Sequence, residues 1–213
     1  MTLLAVDTTS EFGSLALARD GRVLEAVAVH SANGFGHVIF QEILALLDRH
    51  RLKLAAVHGY AAASGPGSFT GVRVGLTAVK GLAEAHGKRV APVSNLLALA
   101  SAGAGPLRAP LIDARRGEVY GAVYDEALQP VVPEMVAPLP RLLEAIGGRS
   151  VTFVATDFSP FADLSPRVIA PRALAAAVAA VAARVFAGGL ALLPEQVDAN
   201  YIRRSDAELK WQN

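Results

Sequence analysis

Ser64-Gly65-Pro66-Gly67-Ser68-Phe69-Thr70-Gly71, running on into Val72-Arg73-Val74-Gly75-Leu76, is the stretch from which the rest of this chain can be read. Val57 to Ala63 before it is a short apolar run, the mark of a buried strand. Val72 to His86 after it carries apolar residues at helical spacing until Gly87. The stretch is therefore a glycine-rich turn between a strand end and a helix start. Such a turn offers backbone N–H groups to an anion at the positive end of the helix. It is not a Walker A loop, since no Gly-Lys-Ser/Thr follows. The same residues also allow a plainer reading. Ser68 or Thr70 caps the helix, and Gly71 and Gly75, one turn apart, let one helix face pack closely.

Toward the N-terminus, Leu3 to Val6, Ser14 to Ala18 and Val23 to Val29 read as three successive antiparallel strands. Asp20-Gly21 is the tight-turn signal between the last two. Ile39 to Leu47 has helical spacing, with His37 just before it. Toward the C-terminus, Val90 to Val93 reads as a strand, and Ser94 or Asn95 caps a helix through Ala102. The hinge candidate is Ala102-Gly103-Ala104-Gly105-Pro106. Beyond it the order begins again: strands at Pro110 to Asp113, Glu118 to Tyr124 and Val131 to Val136, then a helix at Leu139 to Ile146. A strand at Val151 to Ala155 and a helix at Ala173 to Ala187 complete the second unit. The expectation is an α/β chain of two duplicated βββαβα units. Its lobes are 1–101 and a smaller 102–213, with the C-terminal tail packing back on the first.

Composition narrows the function. The 213 residues are 53% hydrophobic and 18% charged, too apolar for a disordered chain. Twenty Lys and Arg against 19 Asp and Glu give a net charge of +1, without the basic run of a protein that binds nucleic acid alone. Cysteine is absent, which removes thiolate nucleophiles and zinc–thiolate sites. None of the five histidines pairs at the spacing of a helix-borne metal site, and no Ser sits in a GxSxG elbow. The expectation is therefore no catalytic set and no metal site. Asp7 interrupts the first apolar run, against a signal peptide. Ala173 to Leu193 imitates a membrane span, but Arg184 near its middle and Gly188-Gly189 favour a buried helix. A cytoplasmic protein without membrane contact is expected.

Three polar constellations remain. In Asp7-Thr8-Thr9-Ser10, a turn of small hydroxyl residues between strands either satisfies itself or holds phosphate, with the Asp beside a hydrated cation. Asp7, Thr8 and Thr9, with Gly65, Gly67, Ser68 and Asp113, are the candidate anion-binding or nucleotide-binding residues. Asp113 ends the first strand of the second unit, before Arg115-Arg116-Gly117. Those arginines suit phosphate, acidic groups of a partner, or a local turn with Glu118. On the first two helices the apolar residues exceed one stripe: Ile39, Phe40, Ile43, Leu44 and Leu47 on the first, and Val72, Leu76 and Val79 on the second. With His37 and Lys80 they are the candidate partner interface, against the alternative of a broad core face.

The string SGPGSFTGVRVGLTAVKGLA resembles the signature of the TsaB (YeaZ) family of bacterial glycoprotease-like tRNA-modification proteins. LLAVDTTSEFGSLAL, APVSNLLALA, IDARRGEVYGAVYD and DANYIRRSDAE agree with it in order along nearly the whole chain. The resemblance implies the two-lobed actin-like ATPase (ribonuclease H-like) fold, with the C-terminal lobe reduced. It implies a non-catalytic subunit that activates its paralogue TsaD, the enzyme that completes threonylcarbamoyladenosine at tRNA position 37. TsaD carries a paired-histidine metal motif, which this chain lacks. The implied partners are TsaD in a heterodimer, TsaE in a ternary complex and, for the chain alone, a second copy. Contact with tRNA is implied only through the complex, as is ATP or ADP with Mg. The peptidase label has no nucleophile or metal behind it. The competing expectation is a small actin-like ATPase or kinase that works alone through Asp7 and the cleft between lobes.

Overall fold

In the computed structural model, which describes residues 1–203, period-two alternation at the N-terminus builds a meander. β1 (Thr2–Asp7), β2 (Gly13–Arg19) and β3 (Arg22–Val29) pair antiparallel, with Leu4 opposite Leu17 and Asp7 opposite Ser14. Asp20 and Gly21 both take positive φ, 51° and 78°, as a two-residue hairpin of matching twist requires. α1 (Ile39–Arg49), β4 (Gly59–Ala63), α2 (Phe69–His86) and β5 (Arg89–Val93) follow. The crossover helices return the chain parallel, giving the sheet order β3-β2-β1-β4-β5.

Alternation then assigns the two faces of this sheet. Leu4, Val6, Leu15, Leu17 and Tyr60 join one core cluster with Ile39, Ile43, Val72 and Val79 of α1 and α2. The opposite face carries small residues such as Ala5, Ala16 and Ala61. It receives α5 (Ala175–Ala187), whose buried positions include Ala175, Ala179 and Ala182. Alanine facing alanine lets helix and sheet backbones approach closely, which explains why so apolar a helix is so poor in large side chains. Among the described residues no helix is long and apolar enough to cross a membrane.

The second unit begins after α3 (Asn95–Ala102). β6 (Leu107–Asp113), β7 (Glu118–Asp125) and β8 (Pro130–Pro138) form another antiparallel meander, followed by α4 (Leu139–Ile146), β9 (Thr152–Ala155) and β10 (Arg167–Ile169). The sheet order β8-β7-β6-β9-β10 repeats that of the first sheet with the same strand directions. Two such sheets make the duplicated ribonuclease H-like topology of the actin-like fold. The second copy is reduced: between β9 and β10 only the 3-10 turn Ser159–Phe161 stands where the first copy has α2. The short strand β10 is absent from the sequence reading, because three residues carry no measurable period.

The compact units do not divide at 101/102. Among the described residues, Met1–Ala98 combine with Pro171–Ala199, and Leu99–Ala170 with Asn200–Arg203. α5 goes with the first unit because its face is matched to the alanine-lined side of the first sheet. Asn200 and Arg203 are fastened on the second unit. Asn200 Nδ2 donates to Glu134 Oε2 (2.6 Å), and Arg203 donates to the Ala114 carbonyl (2.9 Å) and to Glu118. The end of the string DANYIRRSDAE, from Arg204, lies outside the described residues.

Candidate functional site

The turn that ends β1 is closed off from water: Asp7, Thr8 and Thr9 are 1%, 1% and 4% exposed. The Thr9 amide and hydroxyl both donate to Asp7 Oδ1, at 2.9 and 2.6 Å. Burial pushes the Asp7 carboxyl above its ordinary range. The Thr9 hydroxyl and amide, and then the Leu174 backbone amide at the start of α5, pull the other way. Among the described residues Asp7 Oδ2 finds no partner at normal hydrogen-bond geometry. Its opposite number Ser14 accepts the Ala175 amide at 3.1 Å, so β2 supplies a cap that α5 lacks in its own sequence.

The glycine-rich stretch lies directly on this turn. The Ser68 amide donates to the Thr9 carbonyl (2.7 Å), and the Thr8 hydroxyl donates to the Gly71 carbonyl (2.7 Å). A Cβ at Gly67 would stand 2.6 Å from the Thr9 carbonyl oxygen, and one at Gly75 would stand 2.7 Å from Thr8 Oγ1. One at Gly71 would collide with the Thr8 carbonyl. Three glycines are thus required by close approach of the chain to itself. Ser68 caps α2, accepting the Gly71 amide at 3.2 Å. Gly65, at φ +101°, is held by Asn95, whose Oδ1 accepts its amide (2.9 Å) and whose main-chain N–H donates to its carbonyl (2.9 Å). Asn95 Nδ2 reaches on to Thr9 Oγ1 at 2.5 Å.

The structure therefore brings Asp7, Thr8, Thr9, Gly65, Gly67 and Ser68 together, and adds Asn95. Sequence reading offers Asn95 only as a helix cap, a role that Ser94 fills by accepting the Leu96 and Leu97 amides. Nothing local marks Asn95, because its partners are Gly65 and Thr9. Both threonine hydroxyls donate internally, Thr8 to the Gly71 carbonyl and Thr9 to Asp7 Oδ1. Within this set, among the described residues, Asp7 Oδ2 is a buried side-chain atom left without a partner.

Asp113 belongs to the second unit. It ends β6 as Asp7 ends β1, and its Oδ1 accepts the amide two residues on, that of Arg115, at 2.8 Å. The duplication is thus visible in single hydrogen bonds. Asp113 is half-buried and also pairs with the Arg115 guanidinium at 3.3 Å.

The helix residues separate sharply. Ile39, Ile43, Leu47, Val72, Leu76 and Val79 are between 0% and 5% exposed. For these six the reading as spare surface is corrected. The row along α2 points at the sheet, and most of the apolar side of α1 fills the same core. Phe40 and Leu44, each 50% exposed, remain outside on α1 with the exposed His37. Lys80 donates to the Val197 carbonyl at 2.8 Å. Phe69, absent from the sequence reading of the interface, is 44% exposed at the start of α2 with the Arg73 guanidinium 3.8 Å over its ring. Among the described residues no three His, Asp or Glu side chains converge as a metal site.

Comparison with known proteins accords with this architecture. A protein-family profile described as TsaD, tRNA N6-adenosine threonylcarbamoyltransferase, matches residues 26–191. The chain is 30% identical to the tRNA threonylcarbamoyladenosine biosynthesis protein TsaB of Bacillus subtilis strain 168, over 99% of this chain and 98% of that one. It is also 30% identical to TsaB of Escherichia coli strain K12, over 97% and 96% of the two chains. Among solved structures, YeaZ from Pseudomonas aeruginosa superposes with a TM-score of 0.81 at 29% identity, covering 94% of this chain and 99% of that one.

Proposed function

The chain belongs to the TsaB (YeaZ) family of tRNA threonylcarbamoyladenosine biosynthesis proteins, and from that premise we propose that it is the non-catalytic subunit which activates a TsaD threonylcarbamoyltransferase by forming a heterodimer with it. The observation that carries this reading is the pair Phe40 and Leu44, half-exposed one turn apart on α1 while the helix's other large apolar residues are buried. Covering the exposed half of each side chain contributes about 1 kcal/mol, roughly half of what full burial supplies. Phe69 extends the apolar surface at the start of α2. TsaE joins the pair as a ternary complex in the cytoplasm, and the same face pairs two copies when the chain is alone. Contact with tRNA, and any ATP or ADP with Mg, belongs to the assembled complex. Support for the last point is that Thr8 and Thr9 have no free hydroxyl to offer.

The test is co-purification with TsaD, beside reconstituted tRNA modification. Phe40→Glu with Leu44→Glu should abolish both while the purified chain keeps its thermal midpoint. Retained binding by that double variant sinks the heterodimer as drawn. The rival reading, an actin-like ATPase or kinase working alone, draws on one observation, the open Asp7 Oδ2. It requires ATP turnover by the purified chain that falls on Asp7→Ala.

A further inference from the structure

Asn95 is 2% exposed, and it ties its own stretch to two that are remote in sequence, at Gly65 and at Thr9. It grips both main-chain groups of Gly65, as a neighbouring strand would, each at 2.9 Å. Its Nδ2 donates to Thr9 Oγ1 (2.5 Å), and that hydroxyl donates in turn to Asp7 Oδ1 (2.6 Å). Every bond in this chain has a forced direction, because the amide nitrogen can only donate and a carboxylate can only accept. Bonds aligned head to tail in a dry interior strengthen one another.

The chain of bonds ends on Asp7 Oδ1, and the turn that it fixes holds the start of α2 through other atoms. The Thr9 carbonyl accepts the Ser68 amide, and the adjacent Thr8 hydroxyl donates to the Gly71 carbonyl, both at 2.7 Å. These contacts engage the cap residue and the first turn of the helix. That turn also carries outward-facing Phe69, with Arg73 stacked on its ring. Close approach at Gly67, Gly71 and Gly75 leaves the turn little other room.

We propose that the Asn95–Thr9–Asp7 chain is a positioning joint that sets the first turn of α2 in the direction at which the partner enzyme is engaged, although none of the three residues reaches the surface. The proposal rests on the heterodimer reading above, and deepens it by naming residues that control the contact without touching the partner. The glycine-rich string then serves as the seat of the joint.

Three variants of the full chain test it. Thr9→Val keeps the shape and removes the hydroxyl, Thr9→Ser keeps the hydroxyl, and Asn95→Ala removes the side-chain bonds to the Gly65 amide and the Thr9 hydroxyl. The first measurement is hydrogen–deuterium exchange of the chain alone. Thr9→Val and Asn95→Ala should each raise exchange about tenfold over residues 68–74, as loss of one buried hydrogen bond allows. Thr9→Ser should match the wild type, and the second sheet should not change. The second measurement is affinity for TsaD, which should weaken about tenfold in Thr9→Val and recover in Thr9→Ser. Unchanged exchange at 68–74, a uniform rise across the first unit, or wild-type affinity in Thr9→Val would each overturn the joint. Failure of the wild-type chain to bind TsaD sinks the heterodimer and the partner half of this proposal, whereas the exchange result decides the joint by itself.

Discussion

Asp7 shows at a single residue what a buried charge costs this fold. Its carboxylate is buried against the cost of desolvation, and one oxygen is left without a partner. A carboxyl whose folded-state affinity for a proton is raised binds more protons folded than unfolded. Its contribution to stability is therefore full below the unfolded value of 3.8 and is lost as pH rises through the higher folded value. Asp7→Asn should accordingly raise the thermal midpoint near neutral pH by a few degrees, roughly what 1 kcal/mol supplies at this size. The gain should vanish below the ordinary carboxylate range, and calorimetry at several pH values checks the sign. Tyr60 presents the same problem without charge. It is 0% exposed, and its hydroxyl has no partner among the described residues. Tyr60→Phe should stabilise by about 1 kcal/mol, read from the urea midpoint, since an unsatisfied buried hydroxyl costs about that much. Neither orphan atom is legible in the sequence, which marks Asp7 only as a candidate ligand and leaves Tyr60 an ordinary member of its strand.

At the scale of elements, periodicity and turn chemistry are nearly sufficient. Leu139 to Ile146 is a helix with the bounds that its spacing predicts, and α2 ends at Gly87, which takes φ 59°. Starts are less legible. α2 begins at Phe69, three residues before the apolar row, because its cap is Ser68 and its first turn is set by the neighbouring β1–β2 turn. Direction is less legible still. An apolar row on a helix announces a buried face without saying what buries it. Ile43 and Leu76 illustrate the consequence, for both lie in the first unit's own core at 1% and 5% exposure. Ile43→Glu or Leu76→Glu should unfold the chain rather than only release the partner, at a cost above about 3 kcal/mol for an unpaired buried charge. Circular dichroism separates this from Phe40→Glu, which should remain folded. Gly71→Ala should cost about 1–3 kcal/mol, as overpacking does, since its Cβ meets main chain that cannot turn aside.

For the whole molecule, the repeated strand order is what duplication by element sequence foretells, while the allegiance of α5 is not. A chain ending before Pro171 would leave the alanine-lined face of the first sheet bare and Ser14 without the amide it accepts. Such a truncation should lose the cooperative melting of the first unit and become protease-sensitive there, with insolubility as the expected accompaniment. Retention of a cooperative transition would show that α5 is dispensable to that sheet.

The amino-acid sequence alone determined every strand but β10, the tight turns and the ends of helices such as α2 and α4, because each depends on residues within one or two turns of each other, and its literal strings marked the family. Only the tertiary structure decided which apolar residues of α1 and α2 are core and which are surface. It alone joined Asp7, Thr9, Gly65 and Asn95, and brought α5 back to the first sheet. Those outcomes are settled by contacts between distant segments, where local pattern is silent and packing density with hydrogen-bond direction chooses the partner. The glycine-rich stretch belongs to both sides of that division: its spacing announces a turn into a helix, and only its contact with Thr8 and Thr9 says what the glycines are for.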